Sequence, residues 1–108
     1  MKTPHPVIHA ELLRGAAARA VGVLKILANE DRMLLLCQLS QGEHCVSELQ
    51  EELGIYQPTL SQQLGVLRNE GVVATRREGK NIYYSVADPA TLEILALLHR
   101  LYCPEGDI

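Results

Sequence analysis

The chain has 108 residues, a formal net charge of −3, three cysteines and neither Trp nor Phe. This length supports one domain spanning residues 1–108 with a modest core, built from Leu, Ile, Val and Ala with four Tyr as the only large rings. No apolar run approaches the ~18 residues of a membrane span, and MKTPHP at the start lacks the apolar centre of a secretory signal, so the expected location is cytoplasmic. Cys37, Cys45 and Cys103 are odd in number and widely spaced, which argues against a structural disulfide framework.

Residues 1–7 hold two prolines and no periodicity, so fraying is expected there and in the tail 104–108. From Ile8 to Ala28 the apolar positions Ile8, Leu12, Ala16, Ala20, Val23 and Leu27 recur every three or four residues and predict a long amphipathic helix. Its run of small residues lets another helix approach closely, so it serves either as an ordinary core helix or as a dimer interface. A small helical unit of this kind often completes its burial against a second copy, and a homodimer is expected on that ground. Asn29 is placed as an N-cap, with Glu30 and Asp31 at the positive end of a helix over 30–40. Met33, Leu34, Leu35, Leu36 and Leu39 make that helix apolar almost all round and therefore central. By itself, Cys37 within it reads as a small core hydrophobe.

Cys45 to Gly71 divides into two short helical patterns joined by a tight connection. Val46, Leu49 and Leu53 mark the first, which Gly54 ends; Cys45 stands at its cap, with Glu48 three residues on as in a capping box. A thiol there is either reactive, through a lowered pKa, or simply a poor cap. In the second, Pro58 is placed as the first helical residue, Leu60, Leu64 and Leu67 form the apolar stripe, and Gly71 is the stop. The opposite face carries Gln57, Thr59, Ser61, Gln62 and Gln63, uncharged groups able to bond base edges or phosphate oxygens. Two such helices form a helix-turn-helix.

After Gly71 the pattern changes period. Val72–Arg77 and Ile82–Val86 predict a hairpin across Glu78-Gly79-Lys80-Asn81, with Ile82, Tyr84 and Val86 on one face and Arg76, Arg77 and Lys80 near the tip. A helix-turn-helix followed by a basic hairpin is a winged helix, whose wing meets the DNA backbone or minor groove. Between Gln57 and Asn81, Arg68, Arg76, Arg77 and Lys80 oppose Glu70 and Glu78, a net of +2; subtracting this from −3 leaves −5 elsewhere. One face is thereby favoured for a polyanion. Asp88-Pro89 opens a last helix to Tyr102, so apolar that a partner helix must cover it. The expected fold is mainly α with a small β-hairpin, in the order ααααββα. No C-x-x-C or substrate-cradling motif is present, so neither an enzyme nor a cofactor is expected.

LKILANEDRMLLLCQL (24–39), GEHCVSEL (42–49), QPTLSQQLGVLRNEGVV (57–73) and TRREGKNIYYSVADP (75–89) together resemble the ArsR/SmtB family of winged-helix repressors over nearly the whole chain. Within it the chain looks most like the dithiol sulfur-sensing group of the BigR, SqrR and HlyU type, with Cys37 in LLLCQL and Cys103 in LHRLYCP. The resemblance implies a homodimer on palindromic double-stranded operator DNA, with the first and last helices at the dimer interface. It carries over Gln57, Thr59, Ser61, Gln62 and Gln63, with wing residues Arg77, Lys80 and Asn81, as DNA-facing. Where this chain has Gln63 the family commonly has His, a change that bears on operator preference.

The resemblance further implies that Cys37 and Cys103 sense persulfide or polysulfide and release DNA on crosslinking, controlling sulfide-detoxification genes. His99, one turn before Cys103, would favour its thiolate when protonated. The family's two metal patterns are incomplete: Cys45-Val46-Ser47 lacks one of two thiolates, and Asp88 and His99 lack a second His. No metal is therefore expected, with Cys37, Cys103 and His99 as the residual alternative set. A peroxide-responsive or metal-responsive repressor of the same fold is the alternative function, and a winged helix used only for protein contacts is a third reading.

Overall fold

The computed structural model describes residues 9–103. The fraying expected at 1–7 and 104–108, and the helix start at Ile8, lie outside the described residues. Helices α1 (Ala10–Leu27) and α2 (Glu30–Leu39) lead into strand β1 (His44–Cys45), then α3 (Val46–Leu53), α4 (Thr59–Asn69), β2 (Val73–Glu78), β3 (Asn81–Val86) and α5 (Pro89–Tyr102). This is the winged-helix architecture, mostly helical with a small antiparallel sheet in the order β1-β3-β2.

The local stops and starts follow side-chain chemistry. Asn29 Oδ1 accepts from the Arg32 N–H at 3.0 Å, opening α2. Asp88 Oδ2 accepts from the Thr91 N–H at 3.2 Å and the Thr91 hydroxyl at 2.6 Å, so the buried Thr91 is satisfied at the start of α5. Gly54 ends α3 in the left-handed region at φ 71°, which a side chain would disfavour. Pro58 stands one residue ahead of α4 rather than inside it, and its carbonyl accepts from the Gln62 N–H at 3.1 Å.

The core lies where α2, α3 and α4 converge on the sheet. Leu35, Leu36 and Leu39 of α2 meet Leu49 of α3, the full stripe Leu60, Leu64 and Leu67 of α4, and Val72 and Val73 at the root of the wing. Tyr84 and Val86 pack against this cluster from β3, as their alternation requires. Hydrophobic burial therefore orients α4 from behind and leaves its polar face outward.

Two features of the sheet depart from expectation. The hairpin is tighter, because Glu78 and Asn81 pair as strand ends and leave Gly79-Lys80 as the connection. The additional strand β1 pairs His44 with Tyr84 and Cys45 with Tyr83. Two residues carry no alternation to read, and their partner strand begins far along the chain, so nothing local announces β1.

Candidate nucleic-acid interface and thiol pair

Along the polar face of α4, Ser61 and Gln62 are exposed and Thr59 is half-buried. Gln57 lies just before the helix, where its Oε1 accepts from the Ser61 N–H at 3.1 Å. It thus satisfies one of the orphan donors of the first turn and keeps its amide NH2 free. Gln63 has a different setting. It is half-buried, and its Oε1 accepts from Arg32 Nη1 at 3.1 Å.

Arg32 is a contact that reasoning from sequence missed. Its Nε donates to the Ile26 carbonyl at 2.7 Å and its Nη2 to the Lys25 carbonyl at 3.1 Å, so one guanidinium closes the end of α1 while holding Gln63 of α4. The fixed fork of an Arg suits three divergent acceptors in a way that a Lys ammonium does not. The available signal was a cation in the first turn of a helix, beside Glu30 and Asp31, where a positive charge is disfavoured.

On the wing, Arg77, Lys80 and Asn81 are exposed, and among the described residues neither Arg77 nor Lys80 is in an ion pair. Arg76 is not a third free charge at the tip. Its Nε donates to both Glu43 carboxylate oxygens at 2.9 Å, its Nη1 meets Glu78 at 2.8 Å, and its guanidinium lies 5.0 Å from the Tyr83 ring centroid. The hydrogen bond from Arg76 holds the Glu43 carboxyl below its ordinary pKa. Arg76 thus ties the wing to the α2–β1 connection and is electrically neutralised by its partners.

All three thiols are free. Cys37 is half-buried on α2 and Cys103 is exposed at the end of α5, where its N–H donates to the His99 carbonyl at 2.9 Å. Both line one open groove of about 300 Å³ with Met33, Leu98, His99 and Tyr102. Burial pushes the Cys37 thiol above its ordinary pKa, and the negative charge of a Cys103 thiolate pushes it further the same way. Cys45 lies elsewhere, buried beside Ser47 with Sγ 3.3 Å from its hydroxyl, in a groove it shares with Lys80 and Asn81. Its N–H donates to Glu48 Oε1 at 2.9 Å, so Glu48 supplies its half of a capping box. Among the described residues, no three His, Cys, Asp or Glu side chains converge as a metal-binding group.

The family described as "Bacterial regulatory protein, arsR family" matches residues 29–75, from the cap of α2 into β2. The Biofilm growth-associated repressor of Agrobacterium fabrum is 48% identical over 87 residues, covering 80% of this chain and 74% of that protein. The chain belongs to the ArsR family. Its fold agrees with the crystal structure of the transcriptional repressor BigR from Xylella fastidiosa, with TM-score 0.82 and 39% identity over 91% of this chain and all of that one. The structure of reduced HlyU from Vibrio cholerae also gives TM-score 0.82, with 40% identity over 85% of this chain and 97% of that one. This ArsR-family protein is therefore a winged-helix, DNA-binding transcriptional regulator and, like its relatives, not an enzyme. Among its described residues, no helix is long and apolar enough to cross a membrane.

Proposed function

We propose that this ArsR-family chain is a cytoplasmic homodimeric repressor that lets go of its operator when reactive sulfur links Cys37 to Cys103. The observation that carries this reading is that two free thiols, one on α2 and one at the end of α5, line one apolar groove. On the DNA side, Thr59, Ser61, Gln62 and the Gln57 amide present donors and acceptors to base edges or phosphates. Arg77, Lys80 and Asn81 meet the backbone from the wing. Gln63 contributes through its bond to Arg32, which sets the attitude of α4. The two repressors named among its relatives support a repressing role.

The chemistry balances without a further oxidant. The exposed Cys103 thiolate attacks the outer sulfur of a persulfide RSSH and expels RS⁻, leaving Cys103–S–SH. Cys37 then attacks the Cys103 sulfur and closes a disulfide, HS⁻ leaves, and the proton of each thiol passes to a leaving group. A polysulfide donor leaves one or more extra sulfur atoms in the link, which spans a longer gap.

The link reaches DNA through α2. That helix carries Cys37 and also Arg32, whose guanidinium grips Gln63 of the recognition helix and the last carbonyls of α1. A shift of α2 on crosslinking therefore moves α4 relative to α1. Coupling of this kind is typically ~1–3 kcal/mol, a loss of roughly 5–150-fold in affinity.

Gel-shift titration on DNA from upstream of the gene tests the reading. Reduced wild type, Cys37→Ser and Cys103→Ser are expected to bind alike, and persulfide is expected to release only the wild type. Normal release of Cys37→Ser, or mass spectra placing Cys45 in the crosslink, would sink it. Peroxide and metal salts applied in parallel separate the alternative inducers.

A further inference from the structure

Gly42, Gly54, Gly71 and Gly79 are explained by the backbone itself, since each holds a positive φ that a side chain disfavours. Gly65 is different. It lies in the middle of α4 with ordinary helical backbone. A Cβ added there meets no atom within 4 Å, so no neighbour inside the protein needs the space. Gly22 shares this freedom, on the α1 helix assigned to the proposed homodimer. Glycine inside a helix costs stability relative to alanine. At position 65 the chain bears that cost with no return from its own packing.

Gly65 follows Ser61 by four residues and Gln62 by three, so it shares their outward face, opposite the buried stripe of Leu60, Leu64 and Leu67. Side chains on a helix lean toward its N-terminus, so one at position 65 would cover the surface beside Ser61 and Gln62. Glycine leaves that surface bare. Val66 stands next to it, 38% exposed and four residues after Gln62. Gln62, Gly65 and Val66 thus outline a shallow slot, continuous with the polar face. Its floor is bare backbone, with an amide at one end and an isopropyl group at one side.

We propose that this slot receives the methyl group of a thymine in the major groove, which makes Gly65 and Val66 specificity-determining residues of the DNA-binding face. The proposal rests on the reading of Ser61 and Gln62 as DNA-facing. Thymine alone among the four bases presents an apolar group in the major groove, its C5 methyl. Bare Cα and the valine methyls bury that group from water and offer no hydrogen bond to a polar base edge. The Gln62 amide beside the slot has the donor and acceptor that suit adenine N7 and N6. The selected sequence is therefore a step with adenine on Gln62 and a thymine methyl against Gly65.

Gly65→Ala separates this use of the residue from any use by the fold. Its thermal midpoint is expected to rise by ~4 °C, because alanine is the better helix former. Its operator affinity is expected to fall roughly tenfold. Affinity for random-sequence DNA, held by phosphate contacts, stays unchanged. Fluorescence anisotropy measures both, on DNA from upstream of the gene in which thymines are replaced by deoxyuridine, one position at a time in both half-sites. Deoxyuridine lacks only the methyl. At one position it should weaken the wild type several-fold yet restore Gly65→Ala, because the missing methyl makes room for the added Cβ. A lowered thermal midpoint, wild-type operator affinity, an equal loss on random DNA, or restoration at no position would overturn the slot. Gln62→Ala, measured alongside, is expected to lose operator affinity. Should it bind as the wild type does, the outward reading of α4 fails, and the slot with it.

Discussion

Cys37 shows how much a single residue's chemistry depends on its neighbours. Burial raises its pKa first, and a Cys103 thiolate raises it further, so the neutral thiol is favoured in the folded protein. The sign for stability follows. This contribution is present below the thiol pKa of the unfolded chain, ~8.5, and is lost as pH rises through the higher folded value. Alkylation of Cys37, resolved by peptide mass spectrometry, is therefore expected to have its midpoint above the ordinary thiol range. Cys103→Ser removes the smaller cause, so the midpoint should fall part of the way back and remain raised by burial. A midpoint that ignores Cys103→Ser would mean that the two sulfurs do not feel each other. At the same scale, Gln63 looked from its register like another member of the outward amide face. Its half-burial and its bond to Arg32 give it an inward task.

Among the elements, the wing is the one whose charge is not what its composition suggests. Arg76, Arg77 and Lys80 are close in sequence, yet strand alternation sends Arg76 to the face of Tyr83, where Glu43 and Glu78 meet it. Of these three, Arg77 and Lys80 are in no ion pair among the described residues, and under the proposed function they are the wing cations that displace counterions from DNA. Replacing both with Ala is expected to weaken binding on all sequences alike and to reduce the slope of log affinity against log salt by about 4 for the dimer, near 1 for each of the four cations removed. Arg76→Ala should change that slope far less. Fluorescence anisotropy over a salt series measures both, and equal slopes for Arg76→Ala and Arg77→Ala would contradict the assignment. The recognition helix, by contrast, was legible almost to the residue, because Leu60, Leu64 and Leu67 set its buried face and the polar positions follow.

As a whole, one chain leaves apolar surface uncovered. Leu12 and Leu24 of α1 are 66% and 55% exposed, and Leu97 and Leu101 of α5 are 44% and 58% exposed. The Cα radius of gyration is 16.7 Å, against ~13 Å for a compact domain of this length. An extended body with apolar α1 and α5 fits the proposed homodimer, in which a second copy bound through those helices would present two recognition helices to one DNA. The wild type is expected to sediment as a dimer. Leu12→Glu with Leu24→Glu should shift it to monomer and lower operator affinity, without loss of helical signal. A wild-type monomer at micromolar concentration would contradict the dimer.

What the sequence determined by itself is everything that depends on near neighbours: helix periods, the Asn29 and Asp88 caps, the Gly54 stop, the alternation of β3 and the quoted motifs that resemble one family. Each of these rests on groups within about one helical turn or one strand pair. The tertiary structure decided which distant groups meet. Arg32 and Gln63 are 31 residues apart, Glu43 and Arg76 are 33 apart, and β1 pairs with β3 across the intervening α3, α4 and β2. The apolar groove lined by Cys37 and Cys103 belongs to the same class. The resemblance implied that pair, but only the packing of α5 beside α2 shows what surrounds it. Such meetings arise from burial of the shared core, which is non-directional along the chain and leaves no local period to read.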